Sequence, residues 1–182
     1  MALRRETLAT RAGMSDSYRA IVAEAIAMHV IALPEVAHAS RVACYLSMAS
    51  EPGTSHLLDA LAARGVETLV PVSLADGTLD WAVFDGALVP GALGIDEPAG
   101  ERLGVDALNT VDFVIAPALL IDGDGNRLGR GAGYYDRALA HTRAPVCALV
   151  YSSEVVAAVP TEPHDRKVNM VATEMGIARL TL

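Results

Sequence analysis

Two stretches of this chain, Phe113–Ile121 and Val146–Tyr151, are apolar without interruption instead of alternating with polar residues. A strand that is apolar on both faces needs cover on both faces. Together with intervening helical segments, such runs predict a mainly parallel sheet between helices. Those segments are present. Arg4–Arg11 is rich in helix formers and stops at Gly13, and Ser15 or Ser17 can cap a second helix that ends before Pro34. Ile21, Val22, Ala25 and Ile26 are expected on its inner face. Arg41–Leu46 and Glu67–Val72 read as strands, and Leu57–Ala63 reads as a helix closed by Gly65. Asp76-Gly77 predicts a hairpin running to Phe84. Residues 85–110, punctuated by Gly and Pro, read as surface connection. Tyr134–Thr142 is expected to be a helix, with short strands at Met170–Thr173 and Arg179–Leu182. No repeat or long linker divides the sequence. The expected architecture is α/β: a single three-layer domain over residues 1–182, its central sheet mainly parallel, with helices on both faces. With 182 residues, 52% apolar but only 4% aromatic, its core must be aliphatic.

Charge narrows the choice of partner. The formal net charge of −8 argues against a general nucleic-acid binder, so any anion must be gripped by a local cluster of cations. No apolar run approaches the ~20 residues that span a bilayer. Arg4, Arg5, Glu6 and Arg11 interrupt the region where an export signal would need an apolar stretch, so no membrane association is expected. The cysteines, Cys44 and Cys147, lie in apolar runs and read as buried small hydrophobes in a reducing, cytoplasmic compartment.

The segment that carries chemistry is Ile121–Arg137, where five glycines (123, 125, 129, 131 and 133) fall between a buried strand and a helix. Glycines let a chain take positive φ and approach phosphate oxygens with no Cβ in the way. Arg127 and Arg130 add planar, permanently charged donors, and Asp136 is placed to hold Mg²⁺ beside the phosphates. Three named motifs fail here. No Lys follows the glycines as a Walker A loop requires, and Tyr134 stands where a dinucleotide fingerprint needs its third Gly. Asp122, Asp124 and Asn126 open like a calcium loop, but Arg127 and Gly133 then replace its Gly and its bidentate Glu.

The string Gly-Asn-Arg-Leu-Gly-Arg-Gly-Ala-Gly-Tyr-Tyr-Asp at 125–136 closely resembles the signature of the 5-formyltetrahydrofolate cyclo-ligases, also called 5,10-methenyltetrahydrofolate synthetases. Further matches follow in the family's order: Leu3-Arg4, then Arg11 and Ser15, then the segments 45–54, 94–98, 116–122 and 159–165. The resemblance implies an enzyme that uses ATP and Mg²⁺ to cyclise 5-formyltetrahydrofolate to 5,10-methenyltetrahydrofolate, releasing ADP and phosphate by way of a phosphorylated formyl group. It implies ATP contacts at Arg4 and at Arg127, Leu128, Gly129, Arg130, Gly131, Ala132, Gly133, Tyr134 and Tyr135. Folate contacts are implied at Leu46, Glu51 and the loop from Arg130 through Gly131, Ala132 and Gly133 to Tyr134, with Arg130 and Tyr134 as catalytic groups. Asp136 and Asp165 are implied to hold the magnesium. A monomer acting on small molecules is expected. Against the family pattern, Ala132 stands where Lys or Gly is usual, and Asn169 stands where Asp is usual. The alternatives are a non-catalytic folate- or nucleotide-binding paralogue and a phosphotransferase acting on another small acid.

Overall fold

The computed structural model describes residues 2–91, 95–162 and 165–180. The helices are α1 (Ala2–Ala12), α2 (Asp16–Ile31), α3 (Pro34–Ala37), α4 (Ser55–Ala63) and α5 (Tyr134–Leu139). The strands are β1 (Arg41–Cys44), β2 (Glu67–Ser73), β3 (Leu79–Val83), β4 (Leu88–Pro90), β5 (Asp96–Pro98), β6 (Phe113–Pro117), β7 (Leu120–Asp122), β8 (Arg127–Leu128), β9 (Val146–Leu149), β10 (Val155–Val156), β11 (Met170–Thr173) and β12 (Gly176–Arg179).

Seven strands form the central sheet in the order β12-β11-β9-β6-β1-β2-β3. The five from β11 to β2 run parallel, and the edge strands β12 and β3 are antiparallel to their neighbours. Alternate residues of each parallel strand feed two separate cores. Val42, Cys44, Phe113, Ile115, Cys147, Leu149, Met170 and Ala172 pack against α2, α3 and α4 on one face. Ala43, Val114, Ala116, Ala148 and Val171 pack on the other, with Leu139 of α5 and Leu108 from a 3₁₀ turn at Val105–Thr110. The expected three layers are therefore present. Strands β6 and β9 read as apolar runs because both their faces are dry, and β11 is likewise buried on both faces.

Several local expectations change. Ser15 caps α2, its hydroxyl accepting from the Tyr18 amide at 3.2 Å. The inner face of α2 is Val22, Ala23, Ile26, Ala27 and Val30, whereas Ile21 is 64% exposed. The long run Phe113–Ile121 divides into β6 and β7, because Ala118 and Leu119 turn out of the main sheet so that β7 can pair with β8 and β10. The connection over 85–110 holds a small hairpin, β4 with β5. Helix α5 stops at Leu139, and β12 begins at Gly176, earlier than expected; residues 181–182 lie outside the described part. Asn169 stands just before β11 and is tied to the start of β9, its side-chain oxygen accepting from the Val146 amide at 2.8 Å. It does not line the cleft described below.

Candidate active site

Strand order locates the cleft. From β1 the chain adds β2 on one side and then crosses to lay β6, β9 and β11 on the other. The carboxyl ends of β1 and β6 thus diverge, and in open parallel sheets such a reversal leaves a crevice where ligands bind. A cleft of about 850 Å³ opens there, lined by Tyr45, Leu46, Met48 and Glu51 after β1 and by Pro117–Leu119 after β6. Its size is in the upper part of the range of roughly 300–1,000 Å³ for small-molecule sites, enough for two neighbouring ligands.

The floor comes from the β7–β8 hairpin. Asp122 builds that turn: its carboxylate accepts from the amides of Asp124, Asn126 and Val159 and from the Asn126 side chain, at 2.9 to 3.1 Å. Burial works to raise the Asp122 pKa, but these bonds outweigh it and hold the group below the usual carboxylate range. The calcium-like opening of this segment is therefore a turn device. Residues 129–133 follow, with Gly131 at φ +104° and Gly133 at φ +70°, where an L side chain is strained. A Cβ on Gly133 would also lie 2.9 Å from the Arg137 guanidinium. That guanidinium staples the loop, donating to the carbonyls of Ala132 (2.7 Å) and Gly77 (2.5 Å). Among the described residues, the amides of Arg130, Gly131, Ala132 and Gly133 have no hydrogen-bond acceptor. Uncommitted N–H groups around positive-φ glycines are the features from which anion-binding concavities are built. Helix α5, with six residues, adds little macrodipole, so the positive charge must come from side chains.

The residues expected to contact ATP, folate or magnesium all line this one cleft: Arg4, Leu46, Glu51, the run from Arg127 to Asp136, and Asp165. Their roles divide. Arg4 donates from Nε to the Gly129 carbonyl at 2.9 Å, which lays α1 across the loop. Arg130 keeps 41% of its side chain exposed and reaches Glu51 Oε1 at 3.3 Å, tying the loop to the wall after β1. Glu51 is 6% exposed and also accepts from the Met48 amide at 3.0 Å. Arg127 is turned inward. Its guanidinium meets Asp136 Oδ1 at 2.6 Å and sits 5.9 Å from the Tyr135 ring, so it braces the loop from below. Tyr134 donates its hydroxyl to the Leu74 carbonyl at 3.2 Å, under the Arg137 guanidinium, which fastens the β2–β3 hairpin to the loop. Burial, then the nearby Cys44 and Glu51, push the Tyr135 phenol well above its ordinary pKa and keep it protonated.

Asp136 and Asp165 both line the cleft, and Asp165 Oδ2 accepts from the Glu162 amide at 2.7 Å. His164 lies outside the described residues. No cluster of three or more metal-ligating side chains occurs among the described residues. Carboxylates are the donors that suit Mg²⁺, which keeps several waters and takes one or two of them plus phosphate oxygens where a nucleotide is present. Neither cysteine is poised to react: both are buried, and burial pushes the Cys147 thiol up to about 12.

Other cleft residues escaped the sequence reading. Glu97 of β5 is 8% exposed and accepts from the Ser73 amide at 3.0 Å, and Tyr45 donates to the Pro52 carbonyl at 2.7 Å. An acidic pair before a proline, Asp96-Glu97-Pro98, is the signal that points to the first.

Comparison with known proteins gives concordant matches. The model of the 5-formyltetrahydrofolate cyclo-ligase family matches residues 1–174. The chain is 38% identical over 148 residues to the 5-formyltetrahydrofolate cyclo-ligase of Mycolicibacterium smegmatis, covering 76% of each chain. It is 30% identical over 172 residues to that of Haemophilus influenzae, covering 90% of this chain and 91% of the relative. The 5,10-methenyltetrahydrofolate synthetase structure of Aquifex aeolicus matches with a TM-score of 0.85 at 29% identity, over 100% of this chain and 92% of that one.

Proposed function

The chain belongs to the 5-formyltetrahydrofolate cyclo-ligase family, and from that premise we propose that it uses ATP and Mg²⁺ to convert 5-formyltetrahydrofolate to 5,10-methenyltetrahydrofolate. The observation that carries this reading is the run of four uncommitted amides at 130–133, set between Arg4 and Arg130 in a cleft with room for a second ligand. The formyl oxygen is amide-like and a poor leaving group. It attacks the γ-phosphorus of ATP, the bond to the β-phosphate oxygen breaks, and ADP departs. N10 of the same folate then attacks the activated carbon in an effectively unimolecular step. The C–O bond breaks, phosphate leaves with the former formyl oxygen, and N10 gives up its proton.

This chemistry needs no protein nucleophile. The protein aligns two substrates and neutralises charge on the moving phosphoryl group. The amides of residues 130–133 cradle phosphate oxygens, Arg4 grips the triphosphate, and Arg130 steadies the group in transit. Leu46 gives the pterin an apolar wall. Glu51 accepts from the pterin's N–H edge and holds Arg130 beside it. Tyr134 keeps the loop closed against the hairpin. Magnesium would be held by Asp136 and Asp165, and would supply charge neutralisation on the triphosphate. We also assign this activity to a monomer, and place it in a reducing cytoplasmic setting, the latter supported by the two buried free thiols.

The test is direct. Mixing the protein with 5-formyltetrahydrofolate, ATP and Mg²⁺ is expected to produce the near-ultraviolet absorbance band of methenyltetrahydrofolate, and leaving out ATP or the metal is expected to abolish it. Folded protein that binds folate and gives no band would favour the non-catalytic paralogue; binding of ATP without folate would favour a phosphotransferase on another acid.

A further inference from the structure

Helix α1 is held in an unusual way. Its only buried side chains are Thr7 and Arg11, and none of its residues joins a hydrophobic cluster among the described residues. A helix normally docks through an apolar stripe, so something polar must hold this one. Arg11 does so. It is fully buried and meets both oxygens of Glu154, at 2.6 and 2.7 Å, and its Nη2 also donates to the Ala118 carbonyl at 2.7 Å. Its guanidinium lies 5.4 Å from the centre of the Tyr151 ring. Glu154 is fixed in turn, since its second oxygen accepts from the Tyr151 amide at 2.9 Å. From α2, Arg19 holds the Arg11 carbonyl at 2.8 Å.

Arg4 lies seven residues earlier, two turns along and on the same side of the helix, with its Nε on the Gly129 carbonyl. Ala2, Leu3 and Arg4 line the cleft. The helix is thus fastened firmly at one end and lies across the proposed phosphate cradle at the other. We propose that Arg11 and Glu154 are positioning residues, a buried pivot that sets the angle of α1 and so delivers Arg4 to the phosphates of ATP. This rests on the ATP reading above. It also explains why a charged pair is kept where an apolar contact would be easier to bury: the two-pronged contact fixes orientation as well as distance.

The test uses the intact protein and a non-hydrolysable ATP analogue. Glu154→Gln is expected to speed amide hydrogen exchange in residues 2–12 but not in the central sheet. It is expected to weaken analogue binding about tenfold, as loss of a charge-assisted contact would, with folate binding unchanged. In an Arg4→Ala background the same change is expected to add nothing further, because the pivot acts through Arg4. Arg11→Lys, which keeps the charge and loses the fork, is expected to follow the same pattern more weakly. Faster exchange throughout the sheet would reduce the pair to a general stabiliser and overturn the proposal, as would losses from Glu154→Gln and Arg4→Ala that multiply. Wild-type protein with no affinity for the analogue would instead overturn the ATP reading, and the exchange experiment would still judge the pivot.

Discussion

Replacing Asp136 by Asn is expected to lower turnover about a thousandfold, which corresponds to roughly 4 kcal/mol of lost transition-state stabilisation. Asp136 is proposed to hold magnesium against the phosphates, and Asn in its place leaves their charge less compensated as the phosphoryl group moves. The structure adds a second consequence. Asp136 Oδ1 is the partner of Arg127, whose side chain is 2% exposed, so the substitution also removes the countercharge of a buried cation. Asn keeps an oxygen able to accept that bond, so the fold is expected to survive with a lowered melting temperature. Steady-state kinetics across magnesium concentrations, beside a circular dichroism melt, separates the two effects. A folded variant with near-normal turnover would remove Asp136 from the metal site.

Arg130→Ala is expected to act on kcat by a comparable factor, about a thousandfold, with stability almost unchanged. A guanidinium that meets developing charge on a phosphoryl group is worth about that much or more in phosphoryl transfer. Its side chain is 41% exposed and, among the described residues, is tethered by the 3.3 Å contact with Glu51 alone, so it is placed to shift toward a bound ligand. Removing an exposed side chain of this kind disturbs folding little. Arg130→Lys is expected to recover part of the loss, because a point charge replaces charge but not the planar fork. If instead KM for ATP rises and kcat holds, Arg130 contributes to ground-state binding alone.

The layered fold was legible because burial on both faces writes itself into β6 and β9 as unbroken apolar runs. Where local pattern met competing tertiary demands, it misled. Ile21 has the right spacing for the inner face of α2, yet α4 and the sheet cover Val22, Ile26 and Val30 instead. The departure of Ala118 and Leu119 from the main sheet leaves no trace in hydrophobicity, since they stay buried while the chain changes partners; Pro117, at the end of β6, is the one local mark of it. The glycine loop was legible because positive φ demands glycine and guanidiniums are the strongest donors to phosphate. The orientation of each Arg was not. Arg127 and Arg130 look equivalent in sequence, but one faces a carboxylate beneath the loop and the other faces the cleft. The Arg11–Glu154 pair joins residues 143 apart, and only the folded chain brings them together.

ATP is proposed to activate the formyl oxygen of the folate within this cleft, so the fate of that oxygen decides the matter. With 5-formyltetrahydrofolate labelled by a heavy isotope of oxygen in its formyl group, the label is expected to leave in inorganic phosphate, one heavy atom per methenyltetrahydrofolate formed, as read by mass spectrometry. Label released into water while the phosphate stays light would contradict it.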